Sequence, residues 1–257
     1  MPDNFYGGLD FGTSGARISI INFHKELIYS NSVPYLCSFK NPNSWINSCE
    51  KLLGCLPIEV KSNLQKLAIS GTSGTLTASN FQGEPIGEAI PYDQACHENK
   101  ILLESLTPGE DHLRTPYSSL AKALKLIDKY GTNILLRHQS DWITGWFLKD
   151  WTYGEEGNNL KLGWDLKKES WPKSYLNTSW QKCLPQIIKS GKIIGQVNFD
   201  LAERFNLNKK LILISGTTDS NASVIAAGLG KEDGLTVLGT TIVVKKIIDN
   251  PIKKQGI

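Results

Sequence analysis

Asp10, Thr13, Ser14 and Arg17 fall together in Gly8-Leu9-Asp10-Phe11-Gly12-Thr13-Ser14-Gly15-Ala16-Arg17, which runs on into Ile18-Ser19-Ile20-Ile21. Apolar residues lead in, a Gly/Ser/Thr cluster interrupts, and β-branched residues lead out, the pattern of two antiparallel strands joined by a tight turn. Such a turn has the means to hold an oxyanion. Gly12 and Gly15 remove side chains where the backbone turns, so that successive N–H groups converge on one point. Thr13 and Ser14 add hydroxyl donors, and Arg17 adds a permanent charge. Asp10 is an acid where phosphates are expected, which makes sense with a Mg²⁺ between them. The plainer alternative is an ordinary hairpin with a glycine turn and a solvated arginine, and this string alone leaves both open.

A second acid stands in a comparable setting. Leu211-Ile212-Leu213-Ile214-Ser215-Gly216-Thr217-Thr218-Asp219-Ser220 reads as a buried strand ending in a polar turn, and Asn221 to Gly228 reads as a helix. Asp219 is thus expected at a strand's C-terminal end and a helix's N-terminus, where sites in open α/β sheets are usually built. It would serve there as a base or as the helix N-cap. Shortly afterwards Gly234-Leu235-Thr236-Val237-Leu238-Gly239-Thr240-Thr241-Ile242-Val243-Val244 repeats the plan of strand, Gly-Thr turn, strand. This self-similarity suggests two related domains facing one another across a cleft, each offering a hairpin to the same nucleotide.

Together these stretches resemble the FGGY carbohydrate kinases of the actin/hexokinase superfamily, and most nearly the branch of D-ribulose kinases or xylulose-kinase-like proteins of cyanobacteria and plants. Asp10 to Arg17 is similar to the family's first phosphate motif, Gly216 to Ser220 to its catalytic-aspartate turn, and Leu238 to Thr241 to its second phosphate motif. Ile69-Ser70-Gly71-Thr72-Ser73-Gly74-Thr75 is similar to a further sugar-side turn. The resemblance implies ATP-dependent phosphorylation of a sugar hydroxyl, with a ketopentose such as D-ribulose as acceptor and ATP and Mg²⁺ as cofactors. It implies Gly12, Thr13, Ser14 and Arg17, with Gly239, Thr240 and Thr241, against the phosphates. It also implies Asp10, Ser73, Asp219 and Ser220 around the sugar, Asp219 as catalytic base, and Asp10 holding Mg²⁺ through water. One motif departs from the pattern. Ala89 to Cys96 falls where many members carry Trp-x-Asp-x-Arg, yet here the Trp and the Arg are lacking, and Asp93 and Gln94 read equally as sugar contacts or as a polar loop.

The implied fold is α/β: a ribonuclease-H-like domain of the actin/hexokinase superfamily at 1–208, then the truncated start of a second such domain at 209–257. Three strands through Val33 open the chain. A helix is expected from Pro42, with Trp45, Ile46, Cys49, Leu52 and Leu53 at helical spacing, followed by a buried strand at Leu64 to Ile69. Ser118 to Asp150 reads as helical, with Leu120, Ala123, Leu124 and Ile127 in one stripe and Trp142, Ile143, Trp146 and Phe147 in another. Six of the seven tryptophans lie between Trp142 and Trp180, as packing for the core or as stacking surface for a sugar. Asn158 to Asp165 matches the position of a loop near the sugar in relatives, and Ile187 to Phe205 reads as the connection into the second domain.

Composition narrows the partners. With 257 residues, 40% apolar and 21% charged, the chain can bury a sizeable core and reads as a soluble globular protein. A net charge of +3 without long like-charge runs reads as a solvated surface and argues against nucleic acid, while the resemblance implies small-molecule sugar and nucleotide partners. Five cysteines without a CxxC pair and four histidines without metal-ligand spacing favour a reducing compartment and no structural zinc. No apolar run reaches the roughly 18 residues of a membrane helix, and the N-terminus lacks a signal pattern, so a cytoplasmic place and no membrane partner are expected. The family continues well beyond Ile257, and the expectation is therefore a well-formed sugar-side domain with apolar strands such as Val237 to Val244 left uncovered. A truncated, non-catalytic sugar-binding or vestigial kinase-like protein is the alternative.

Overall fold

A computed structural model describes residues 4–238 and 242–249. The opening hairpin forms as its pattern predicts. β1 (Phe5–Phe11), β2 (Gly15–Asn22) and β3 (Leu27–Pro34) make an antiparallel meander in which Asp10 stands opposite Arg17. Alternation assigns the two faces. Phe5, Leu9, Phe11, Ile18 and Ile20 are buried on one, while Asp10, Arg17 and Ser19 lie on the other. Neither Gly12 nor Gly15 has a positive φ. Gly15 is required instead by crowding, since a Cβ there would lie 2.3 Å from the Val33 carbonyl oxygen of β3.

α1 (Pro42–Cys55) begins where Asn41 accepts a hydrogen bond from the Asn43 N–H and Pro42 occupies the first turn. Its buried stripe of Trp45, Cys49, Leu52 and Leu53 joins the apolar face of the sheet in one core. α2 (Ile58–Asn63) leads into β4 (Leu64–Gly71), which lies parallel beside β1 with Ser70 in register with Asp10. Beyond it come β5 (Leu76–Ser79), α3 (Lys100–Leu106), α4 (Ser119–Tyr130), β6 (Leu135–His138) and α5 (Gln139–Leu148). The segment from Ser118 to Asp150 is therefore not helical throughout: four buried residues, β6, separate its helices and pair with β5. A run of four buried on both faces shows no period of two, and the helical stripes around it hide it.

β7 (Tyr153–Glu155), α6 (Glu156–Asn159), β8 (Gln186–Ile188), β9 (Ile193–Gln196), α7 (Phe199–Phe205) and β10 (Ile212–Ile214) complete the unit. The main sheet has the order β3-β2-β1-β4-β10-β9, with β10 parallel to β4 and β9 antiparallel to β10. Ile187 to Phe205 is consequently more than a connection, since β9 extends the sheet. β10, beyond the expected boundary at residue 208, hydrogen-bonds within the same sheet. α5 covers the apolar face through Trp142, Ile143, Trp146 and Phe147. A second core gathers β5, α3, α4, Tyr175 and Trp180. Trp45, Trp142, Trp146, Trp151 and Trp180 are all at most 8% exposed, so these rings pack the cores. Last come α8 (Asp219–Ala226), β11 (Gly234–Leu238) and β12 (Ile242–Lys246), the latter two paired, among the described residues, only with each other.

Candidate functional site

The parallel strands β1, β4 and β10 end together at their C-terminal ends, and the turns that leave them carry the candidate residues. Asp10 Oδ1 accepts a hydrogen bond from the Ser70 hydroxyl at 2.9 Å, and its Oδ2 lies 3.6 Å from Arg17 Nε. The tip of the first hairpin is closed by the Gly12 N–H donating to the Gly15 carbonyl, and Tyr35 donates its hydroxyl to the Gly12 carbonyl at 2.8 Å. Burial raises the Tyr35 pKa and the charge of Asp10 adds to it, against a hydrogen bond with Gln139. Thr13 and Ser14 are exposed at the tip, and among the described residues neither donates a hydrogen bond. Their N–H and hydroxyl donors face solvent.

Asp219 opens α8, but it is not the cap. Thr218 accepts from the Asn221 N–H at 3.2 Å, which leaves the Asp219 carboxylate to take the Ser220 N–H at 2.6 Å. Desolvation raises the pKa of Asp219, and the negative charge of Asp10 raises it further, while the Ser220 and Ser73 N–H groups and Lys161 pull the other way. The two carboxylates expected at the site are thus electrostatically coupled. The approach to Asp219 is built tightly, because a Cβ on Gly216 would stand 1.9 Å from the Ile69 carbonyl oxygen of β4. Only glycine lets the chain pass there.

The turn that follows β4, at residues 71–75, is held from three directions. Gln139 Oε1 accepts from the Thr72 N–H and hydroxyl at 2.9 and 2.8 Å. Lys122, fully buried, donates to the Gly74 carbonyl at 2.8 Å and to the Tyr92 carbonyl at 3.0 Å. Desolvation pushes its pKa down to about 8. Lys161 donates to the Ser73 carbonyl at 3.3 Å, with its pKa lowered by desolvation against the opposing charge of Asp219. Among the described residues the Ser73 hydroxyl makes no hydrogen bond, so it does not bind its own turn. Lys245 of β12 donates to Asn221 at 2.9 Å and also senses Asp219.

Asp10, Arg17, Ser73 and Asp219 are therefore brought together, with Thr13, Ser14 and Ser220 in the adjoining turns. Gly239, Thr240 and Thr241 lie outside the described residues. Sequence reasoning missed Ser70, Tyr35, Lys122, Lys161 and Lys245. Lys161 stands in the loop noted at Asn158 to Asp165, but no local pattern distinguishes it from the other surface lysines. Asp93 is exposed in its loop. Two electrostatically coupled carboxylates with neighbouring hydroxyls are oxygen donors of the kind a hard divalent cation takes; among the described residues no cluster of three acidic, His or Cys ligands is present.

Over 98% of its length the chain superposes on a ligand-bound xylulose kinase from Lactobacillus acidophilus with a TM-score of 0.83 at 15% identity. A gluconate kinase of the same organism gives 0.82 over 97% at 15% identity, and the Plasmodium falciparum glycerol kinase with ADP gives 0.79 over 94% at 16% identity. The fold is that of these carbohydrate kinases. It is an α/β architecture built on one mixed six-stranded sheet. The chain spans about half of these proteins, 56%, 55% and 54% of their lengths respectively. By sequence it is 27% identical over 113 residues to YoaC of Bacillus subtilis, which carries a provisional sugar-kinase name, and this covers 43% of the chain and 23% of YoaC. No family model matches. No helix among the described residues is long and apolar enough to cross a membrane.

Proposed function

We propose that this chain supplies the acceptor side and the catalytic carboxylate of an ATP-dependent sugar kinase. The observation that carries the reading is the coupling of Asp219 with Asp10 at the C-terminal ends of β10 and β1, beside a hairpin tip with exposed donors. Phosphoryl transfer through a loose transition state asks mainly for in-line placement and neutralised charge, and these are what such residues provide. Asp219 accepts the hydrogen bond of the attacking sugar hydroxyl and takes its proton as the phosphoryl group passes from the ATP β-phosphate oxygen to the sugar oxygen. Its raised pKa makes it a better base than an ordinary aspartate, while the Ser220 and Ser73 N–H groups and, less, Lys161 favour the ionised form. Ser73 and Ser220 orient the sugar. Thr13, Ser14 and Arg17 face the phosphates, with Gly239, Thr240 and Thr241 opposing them on the evidence of sequence alone. Asp10, fixed by Ser70, would hold Mg²⁺. When bound, Mg²⁺ neutralises the charge of the transferring phosphates.

A ketopentose, D-ribulose first, is the proposed acceptor. The motif resemblance favours it, and several proteins of this fold are described as xylulose kinases. The test is ADP release by the 257-residue chain with Mg²⁺·ATP and D-ribulose, D-xylulose, glycerol or D-ribose, beside Asp219→Ala. The expected result is turnover with one ketopentose that falls by about 10²–10⁴ in the variant. A folded chain that neither turns over nor binds any of these sugars overturns the reading.

A further inference from the structure

Away from the candidate site, β6, the segment after α5 and the residues before β8 wall a cleft of about 320 Å³. Arg137 of β6 is at its back and only 2% exposed. Its guanidinium donates to three main-chain carbonyls: Trp151 at 2.5 Å, Leu136 at 2.7 Å and Cys183 at 2.9 Å. Among the described residues no carboxylate lies within ion-pairing distance of it. Asp141 and Asp150 act on it only at longer range. A buried cation that carbonyl dipoles solvate but no anion neutralises is costly to keep, and desolvation lowers its pKa accordingly.

The rest of the lining adds to the imbalance. Lys149 and Lys182 stand exposed on the walls, and the one acid there, Asp150, is engaged by the Thr152 N–H at 2.9 Å. Phe81 and Trp151 provide flat apolar walls. A concave site lined by cations and aromatic walls is suited to a small anion carrying an organic body.

We propose that this cleft is a second ligand site, taking a small dianionic phosphate between Arg137, Lys149 and Lys182. None of the residues that line it belongs to the candidate kinase site, so the inference stands independently of that reading. The ligand is either free inorganic phosphate or the phosphate group of an ester, and the aromatic walls favour the ester.

Binding of inorganic phosphate and of phenyl phosphate to the whole chain is measured by calorimetry, for the unmodified chain, for Lys149→Gln/Lys182→Gln and for Arg17→Gln. Both lysines are exposed, so the double variant keeps its fold. The expected result is a saturable binding component weakened at least tenfold in the double variant and still present in Arg17→Gln, with phenyl phosphate the tighter ligand. Equal affinity for the two would assign free phosphate. Absence of binding at millimolar concentrations, or binding lost with Arg17 and retained by the lysine variant, would overturn the proposal.

Discussion

Two hairpins in this chain share one plan of strand, Gly-Thr turn and strand, yet they end in opposite environments. In β1–β2 the inward residues Leu9, Phe11, Ile18 and Ile20 are at most 1% exposed, beneath α1 and α5. In β11–β12, Leu238, Ile242 and Val244 are 77%, 72% and 72% exposed, and α8 before them buries no residue. Local sequence therefore fixes a hairpin, whereas burial depends on what packs beside it. Asp219 stands at the seam, at the exit of a well-packed sheet and the start of a helix held by its Thr218 cap and few other contacts.

The contrast predicts an ordered series of effects. Leu213→Ala, at the one fully buried position of β10, should cost about 2–5 kcal/mol in urea unfolding; a loss under about 1 kcal/mol would show that β10 is not part of the cooperative core. Lys122 tests burial in another way. Its folded-state pKa of about 8 lies below the unfolded value of 10.5, so between those pH values the native state binds fewer protons than the unfolded state. Lys122 thus makes the protein more stable as pH rises through that window, by on the order of 3 kcal/mol in all. Lys122→Met should flatten the slope of unfolding free energy between pH 8 and 10.5, and an unchanged slope would refute the assignment.

Asp219→Asn should stabilise the fold at neutral pH by about 0.5–1 kcal/mol while abolishing turnover. The raised carboxyl pKa means that the ionised form is disfavoured by folding, and the variant's advantage should shrink as pH falls through that raised value. A less stable Asp219→Asn would mean that the carboxylate holds the turn together. The smallest effect belongs to the exposed helix: Ile225→Ser should change the melting free energy by less than about 0.5 kcal/mol, and a larger loss would reveal a packed partner for α8.

What the sequence made legible follows the same division. Hairpins, the α1 cap and the buried β4 announce themselves through alternation, capping residues and apolar runs. β6 does not, because four residues buried on both faces have no period, and Arg137 and His138 within it are polar residues that patterning assigns to the surface. Asp10 and Asp219 were readable from their turns. Lys161 was not, since its bond to the Ser73 carbonyl joins residues 88 positions apart. Nor could the sequence tell that Thr218, rather than Asp219, caps α8, because both are good caps and only geometry chooses between them.

The pairing of Asp10 with Ser70 across β1 and β4 also acts as a check on assembly. Side chains alternate between faces with a period of two, so a slip of β1 by one residue would drive the Asp10 carboxylate into the apolar core and turn Leu9 out toward solvent. The misaligned sheet would lose burial and strand a charge at once. Chains with a displaced Asp10 are thereby rejected by the same energetics that select the fold, and a population of folded molecules is self-proofread for the placement of this acid.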